Sequence, residues 1–83
     1  MSASLPEDLE EEVRELASKV LKLPKAKVTL EADLFTDLGV DSLLGVEIFA
    51  ALDKKYGIDV PEGRLRDVHT IKDIARLVRE LKK

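Results

Sequence analysis

Apolar side chains in this chain recur at steps of three and four in three separate stretches, and that spacing limits the possible folds more than any other feature. Leu9, Val13, Leu16, Ala17, Val20 and Leu21 make one face. Leu43, Val46, Phe49, Ala50 and Leu52 make a second, with Ile48 at its flank, and Ile71, Ile74, Ala75, Leu77, Val78 and Leu81 make a third. Residues three and four apart share one side of a helix, so three amphipathic helices are expected, each with a side to bury. Val28-Thr29-Leu30 has a trace of strand alternation, but a lone strand has nothing to pair with. The expected class is all-α, with helix packed on helix.

The residues between these stretches say where the helices begin and end. Ser4-Leu5-Pro6-Glu7 reads as a capping box that starts helix one near Leu5, and Leu23-Pro24 ends it near Leu21 or Lys22, since the residue before proline is pushed out of the α region. The acids Glu7, Asp8, Glu10, Glu11 and Glu12 gather where the helix dipole favours negative charge; a docking patch is the other reading of them. Gly39 can turn the chain at positive φ, Asp41 or Ser42 can cap the second helix, and Gly57 stops it after about Tyr56. Ile58-Asp59-Val60-Pro61 is a short extended link. Glu62 to Asp67 then has room for one or two helical turns, weakened at Gly63 by about 1 kcal/mol relative to alanine. Thr70 caps the last helix, and Lys82 and Lys83 sit at the end where cations are favoured. The expected architecture is a small helical bundle of three main helices, with a short helix before the last and a long loop between helices one and two. That loop carries Val28, Leu30, Leu34, Phe35 and Leu38 to pack across the helix ends, and one helical turn is expected around Ala32 to Asp37.

With 83 residues the chain reads as one small domain, 1–83, near the lower limit for a single core. Only 4% of residues are aromatic, so packing rests on Leu, Val, Ile and Ala. The absence of cysteine excludes disulfides, thiolate catalysis and cysteine-based zinc sites. A formal charge of −3 argues against nucleic-acid binding, which needs a basic excess. No apolar run is long enough to cross a bilayer and no signal-peptide core follows Met1, so a cytoplasmic monomer without membrane contact is expected. His69 is the single histidine and has no partner for a metal site or a triad; a structural or surface role is expected for it. No glycine-rich phosphate loop, nucleophile elbow or spaced acid/base pair is present, so the chain does not read as an enzyme.

Asp41-Ser42 places a hydroxyl at a helix N-terminus, where partial positive charge and free N–H groups favour a phosphate ester. By itself the pair needs no explanation beyond a cap. Its surroundings carry more. The run Asp33-Leu34-Phe35-Thr36-Asp37-Leu38-Gly39-Val40-Asp41-Ser42-Leu43, followed by Val46-Glu47-Ile48, Leu52, Tyr56, Ile58-Asp59-Val60-Pro61 and Thr70-Ile71-Lys72-Asp73-Ile74, resembles the acyl carrier protein family around its phosphopantetheine serine. The resemblance implies that Ser42, between Asp41 and Leu43, carries 4'-phosphopantetheine derived from coenzyme A, whose thiol holds acyl groups as thioesters. It implies as partners a phosphopantetheinyl transferase and acyl-loading, ketosynthase or acyltransferase-type enzymes of fatty-acid, polyketide or related pathways. The family's recognition face, on helix two and the short third helix, maps to Leu44, Glu47, Asp53, Arg64 and Arg66. Leu44 stands where the acidic fatty-acid type commonly has an acid, and Lys54, Lys55, Arg64 and Arg66 add positive charge; a freestanding carrier for a specialised pathway fits this pattern. Leu44 reads equally as a scattered surface leucine. The competing reading is a helical protein-interaction module without a prosthetic group, in which Ser42→Ala would cost little more than a cap, about 0.5–2 kcal/mol, and leave partner binding intact.

Overall fold

A computed structural model describes residues 8–82. Three α-helices are present, α1 (Leu9–Leu21), α2 (Ser42–Tyr56) and α3 (Ile71–Leu81), with short 3-10 helices at Lys25–Lys27 and Glu62–Asp67. No strand occurs among the described residues. The α1 helix packs against both α2 and α3, and the 3-10 helix at Glu62–Asp67 packs against α2.

The helix α1 starts at Leu9, later than Leu5. Asp8 lies outside the helical region at φ −101° and ψ 48°, and its carbonyl accepts the N–H groups of Glu11 and Glu12 at 3.0 and 3.1 Å. The expected capping box, Ser4 to Glu7, falls outside the described residues, as does Lys83. At the other end Lys22 takes the left-handed conformation at φ 58°, and Leu23 N–H returns to Ser18 O at 3.0 Å. The helix is thus closed two residues before Pro24, by a backbone reversal rather than by the proline itself.

The long loop is tied down from two sides. Arg14 on α1 donates from its guanidinium to Val28 O and Lys25 O, each at 2.7 Å, and to Glu11 at 2.9 Å. Farther along, Asp33 Oδ1 accepts the N–H groups of Phe35 and Thr36 at 2.8 and 2.9 Å, while Asp33 O accepts that of Asp37 at 2.9 Å. The Thr36 and Phe35 amides hold the Asp33 carboxyl below the usual carboxylate range. The expected helix at Ala32 to Asp37 is therefore one hydrogen-bonded turn: Gly39, at φ 70°, swings the chain away before a second turn forms. Leu34 N–H bonds His69 O at 2.7 Å, and the His69 ring meets Phe35 edge-on at 6.1 Å between centroids. His69 is structural in that sense.

The core joins Leu9, Val13 and Ala17 of α1 to Ile48, Phe49, Leu52 and Tyr56 of α2 and to Ile71, Ile74, Ala75, Leu77 and Val78 of α3. Val28, Leu34 and Val40 of the loop are buried with them, which gives the long connection its own hydrophobic anchors. The buried stripe of α2 differs from the expected one. Gly45, Ile48, Phe49, Leu52 and Tyr56 point inward, Leu44 packs half-buried against the core, and Leu43 is 68% exposed, with Ala50 also outside. Both stripes obey the three-four step. The difference is a rotation of the helix, fixed by the neighbours that Ile48 and Leu52 meet. No buried side-chain nitrogen or oxygen among the described residues lacks a hydrogen-bond partner.

Candidate functional site

The N-terminus of α2 is built by two residues and a turn. Gly39 at positive φ redirects the chain, and Val40 is buried and anchored by its N–H to Leu34 O at 2.8 Å. Asp41 then takes an extended conformation as the N-cap. Its Oδ1 accepts Leu44 N–H at 2.9 Å and its carbonyl accepts Gly45 N–H at 2.8 Å. That leaves the N–H groups of Ser42 and Leu43 without a partner among the described residues, at the positive end of a 15-residue helix. Ser42 is exposed, and its hydroxyl makes no hydrogen bond to any described residue.

Beside Ser42 runs an open groove of about 450 Å³, lined by Phe35, Ser42, Glu62, Gly63, Leu65 and Arg66. Its far wall is the 3-10 helix at Glu62–Asp67, and a glycine allows that wall to come close. A Cβ on Gly45 would lie 2.7 Å from both Leu65 Cδ atoms, so Leu65 fills the notch that the missing side chain leaves. Sequence reading overlooked Gly45, although an isolated glycine inside a helical pattern is a recognised sign of close packing. Phe35, Glu62 and Leu65 carried no such signal, because only the folded chain brings them to Ser42.

The residues expected on a recognition face are separated by the structure. Glu47 is exposed on the outer side of α2 beside Leu43, whereas Leu44 is half-buried on the core. Asp53 turns its carboxylate to Val60 N–H at 2.9 Å, which fixes the extended link after α2. Arg64 reaches Asp67 at 3.2 Å and Glu80 at 3.1 Å, and pairing with Glu80 raises its pKa. Arg66 has no such partner among the described residues and is exposed on the groove wall. Among the described residues no group of His, Cys, Asp and Glu could hold a metal ion, and no helix is long and apolar enough to cross a membrane.

An all-helical bundle with an exposed serine at a helix N-terminus beside a groove offers a place for a covalently attached group. Residues 11–78 match the family described as phosphopantetheine attachment site. The chain is 34% identical over 72 residues to an acyl carrier protein of Helicobacter acinonychis, covering 87% of this chain and 92% of that one. It is 40% identical over 68 residues to polyketide-8 synthase acyl carrier protein 2 of Streptomyces avermitilis, covering 82% and 78%. The apo doublet acyl carrier protein from prodigiosin biosynthesis superposes with a TM-score of 0.78 at 26% identity, over 92% of this chain and 37% of that one. The HMG-ACPI domain of the CurA module from Lyngbya majuscula shares the fold, with a TM-score of 0.73 at 20% identity over 96% and 91%. The chain belongs to the acyl carrier protein family. It is a carrier and not an enzyme, works with biosynthetic enzymes, and carries covalently attached 4'-phosphopantetheine.

Proposed function

We propose that Ser42 is the attachment residue and that residues 1–83 act as one cytoplasmic carrier domain, which passes acyl intermediates between enzymes of a polyketide or related specialised pathway. The observation that carries this reading is the exposed Ser42 hydroxyl at the start of α2, without a partner among the described residues and lining the groove. The site fits a phosphate ester. The N–H groups of Ser42 and Leu43, without a partner among the described residues, and the positive end of the helix dipole are at the residue that would bear the phosphate, and Asp41, which consumes the next two amides, holds that turn in shape.

In the loading step, catalysed by a phosphopantetheinyl transferase, Ser42 Oγ loses its proton and forms a bond to the β-phosphorus of coenzyme A. The pyrophosphate bond breaks and adenosine 3',5'-bisphosphate leaves. When attached, the arm supplies a thiol that this cysteine-free chain otherwise lacks, and with it thioester chemistry. The chain's own residues present the serine and keep the core closed beneath it; they contribute no catalytic group.

Ketosynthase or acyltransferase-type enzymes are the proposed partners, meeting the outer side of α2. Leu43, exposed directly after Ser42, and Glu47 four residues on share that side. The polyketide-type relative and the basic residues Lys54, Lys55 and Arg66 support a specialised pathway over housekeeping fatty-acid synthesis, since charge complementarity governs which partners meet. The test is an intact mass after incubation with coenzyme A and a broad-specificity phosphopantetheinyl transferase. One added phosphopantetheine on the wild type and none on Ser42→Ala is the expected result. An unchanged wild-type mass with several transferases overturns the reading in favour of a docking module.

A further inference from the structure

The two arginines of the 3-10 helix at Glu62–Asp67 do different work. Arg64 is held on the far side by Asp67 and Glu80. Arg66 makes no ion pair or hydrogen bond to a described residue, stays exposed, and lines the groove that Ser42 also lines. Three observations bring Arg66 to that place. Leu65 seats in the Gly45 notch, and Gly45 is three residues, about one turn, along α2 from Ser42, so the next residue of the 3-10 helix lies beside the first turn of α2. Side chains three apart eclipse on a 3-10 helix, so Gly63 shares the side of Arg66. A Cβ at Gly63 would meet nothing within 4 Å, and Arg66 is itself exposed, so that side of the 3-10 helix is open. A guanidinium with no ion-pair partner among the described residues offers a fork of donors that matches a phosphate.

We propose that Arg66 is a positioning residue that binds the phosphodiester on Ser42 and so restrains the base of the arm against the groove wall formed by Phe35 and Leu65. This rests on the reading that Ser42 bears the arm. Glu62 is the one carboxylate-bearing residue that lines the same groove, and it makes no ion pair with Arg66. The phosphodiester is favoured over it because it is tethered on the opposite wall, at the helix N-terminus that draws anions, whereas Glu62 is on the arginine's own element. Exposed charge pairs are screened by salt, so the restraint weakens as ionic strength rises.

The experiment uses the full chain loaded with coenzyme A, as wild type, Arg66→Gln and Arg66→Lys, with intact mass recorded first and phosphorus NMR second. In the wild type the phosphodiester resonance is expected to be shifted and broadened relative to the same phosphodiester in the urea-unfolded loaded chain. In Arg66→Gln it should move toward the unfolded-chain position and sharpen, and Arg66→Lys should restore part of the difference. High salt should bring wild type and Arg66→Gln together. A structural role for Arg66 would instead disturb the backbone amide spectrum of the unloaded protein, which is expected to change only near residue 66. A loaded protein whose phosphorus signal is the same in wild type and Arg66→Gln overturns the proposal alone, as does a change that Arg66→Lys restores in no part. A wild type that takes no phosphopantetheine overturns it together with the reading beneath it.

Discussion

Replacing Gly45 by alanine tests how the groove wall is held. In an open helix the substitution stabilises by about 1 kcal/mol, because glycine has more backbone freedom to lose. Here the new Cβ would lie 2.7 Å from both Leu65 Cδ atoms and 3.2 Å from Cγ, closer than carbon atoms pack, so Leu65 must leave its notch. Fully burying a leucine is worth about 1.5–3 kcal/mol. Leu65 is only half-buried, so its displacement costs about 1 kcal/mol and offsets the gain. Gly45→Ala is therefore expected to leave global stability nearly unchanged while loosening the 3-10 helix. In a Leu65→Ala background the notch is empty, and the same substitution should stabilise by about 1 kcal/mol. The coupling between the two sites is then about 1 kcal/mol, inside the range found for residues in contact. Urea unfolding of the four variants, followed by far-ultraviolet circular dichroism, measures it. Equal stabilisation by Gly45→Ala in both backgrounds would refute the claim that Leu65 occupies the notch.

Three further predictions concern the scaffold. Asp41→Ala removes the cap on Leu44 N–H and should cost about 1 kcal/mol, lowering the melting temperature by about 4–8 °C for a domain of this size, while Asp41→Asn should retain most of it. Arg14→Gln loses the paired donations to Val28 O and Lys25 O; a loss of about 2 kcal/mol in urea unfolding is expected, with faster amide exchange at Lys27 and Val28. Tyr56 donates to Glu12 at 3.0 Å, and burial first, then that carboxylate, raises its phenol above the ordinary value of 10.0. The unfolded chain therefore releases this proton at lower pH than the folded one, so the contribution is whole below about pH 10 and declines as pH rises further. Tyr56→Phe should flatten that alkaline loss in pH-dependent unfolding; an identical slope would show that the phenol is not held.

Much of this protein was legible as a string. The spacing of Ile71, Ile74, Ala75, Leu77 and Val78 gave α3 with its Thr70 cap, whose hydroxyl accepts Asp73 N–H at 3.2 Å. Helix α2 runs from Ser42 to Tyr56 with Gly57 at φ 66°, as the cap and glycine signals require. These features are local: a cap, a helical step and a left-handed glycine each act within a few residues, so sequence determines them. The run around Asp41-Ser42 likewise resembles a carrier on sequence alone. Contacts between distant residues were not legible. Periodicity permits several rotations of α2 and does not say that Ile48 is inward and Leu43 outward, because the deciding neighbours belong to other elements. Nor could it pair Arg14 with carbonyls 11 and 14 residues away, assign Arg64 to Glu80 while leaving Arg66 without a partner among the described residues, or set Leu65 in the Gly45 notch. Those arrangements depend on close packing of separate segments, where one methyl group changes what fits, and only the tertiary structure decided them.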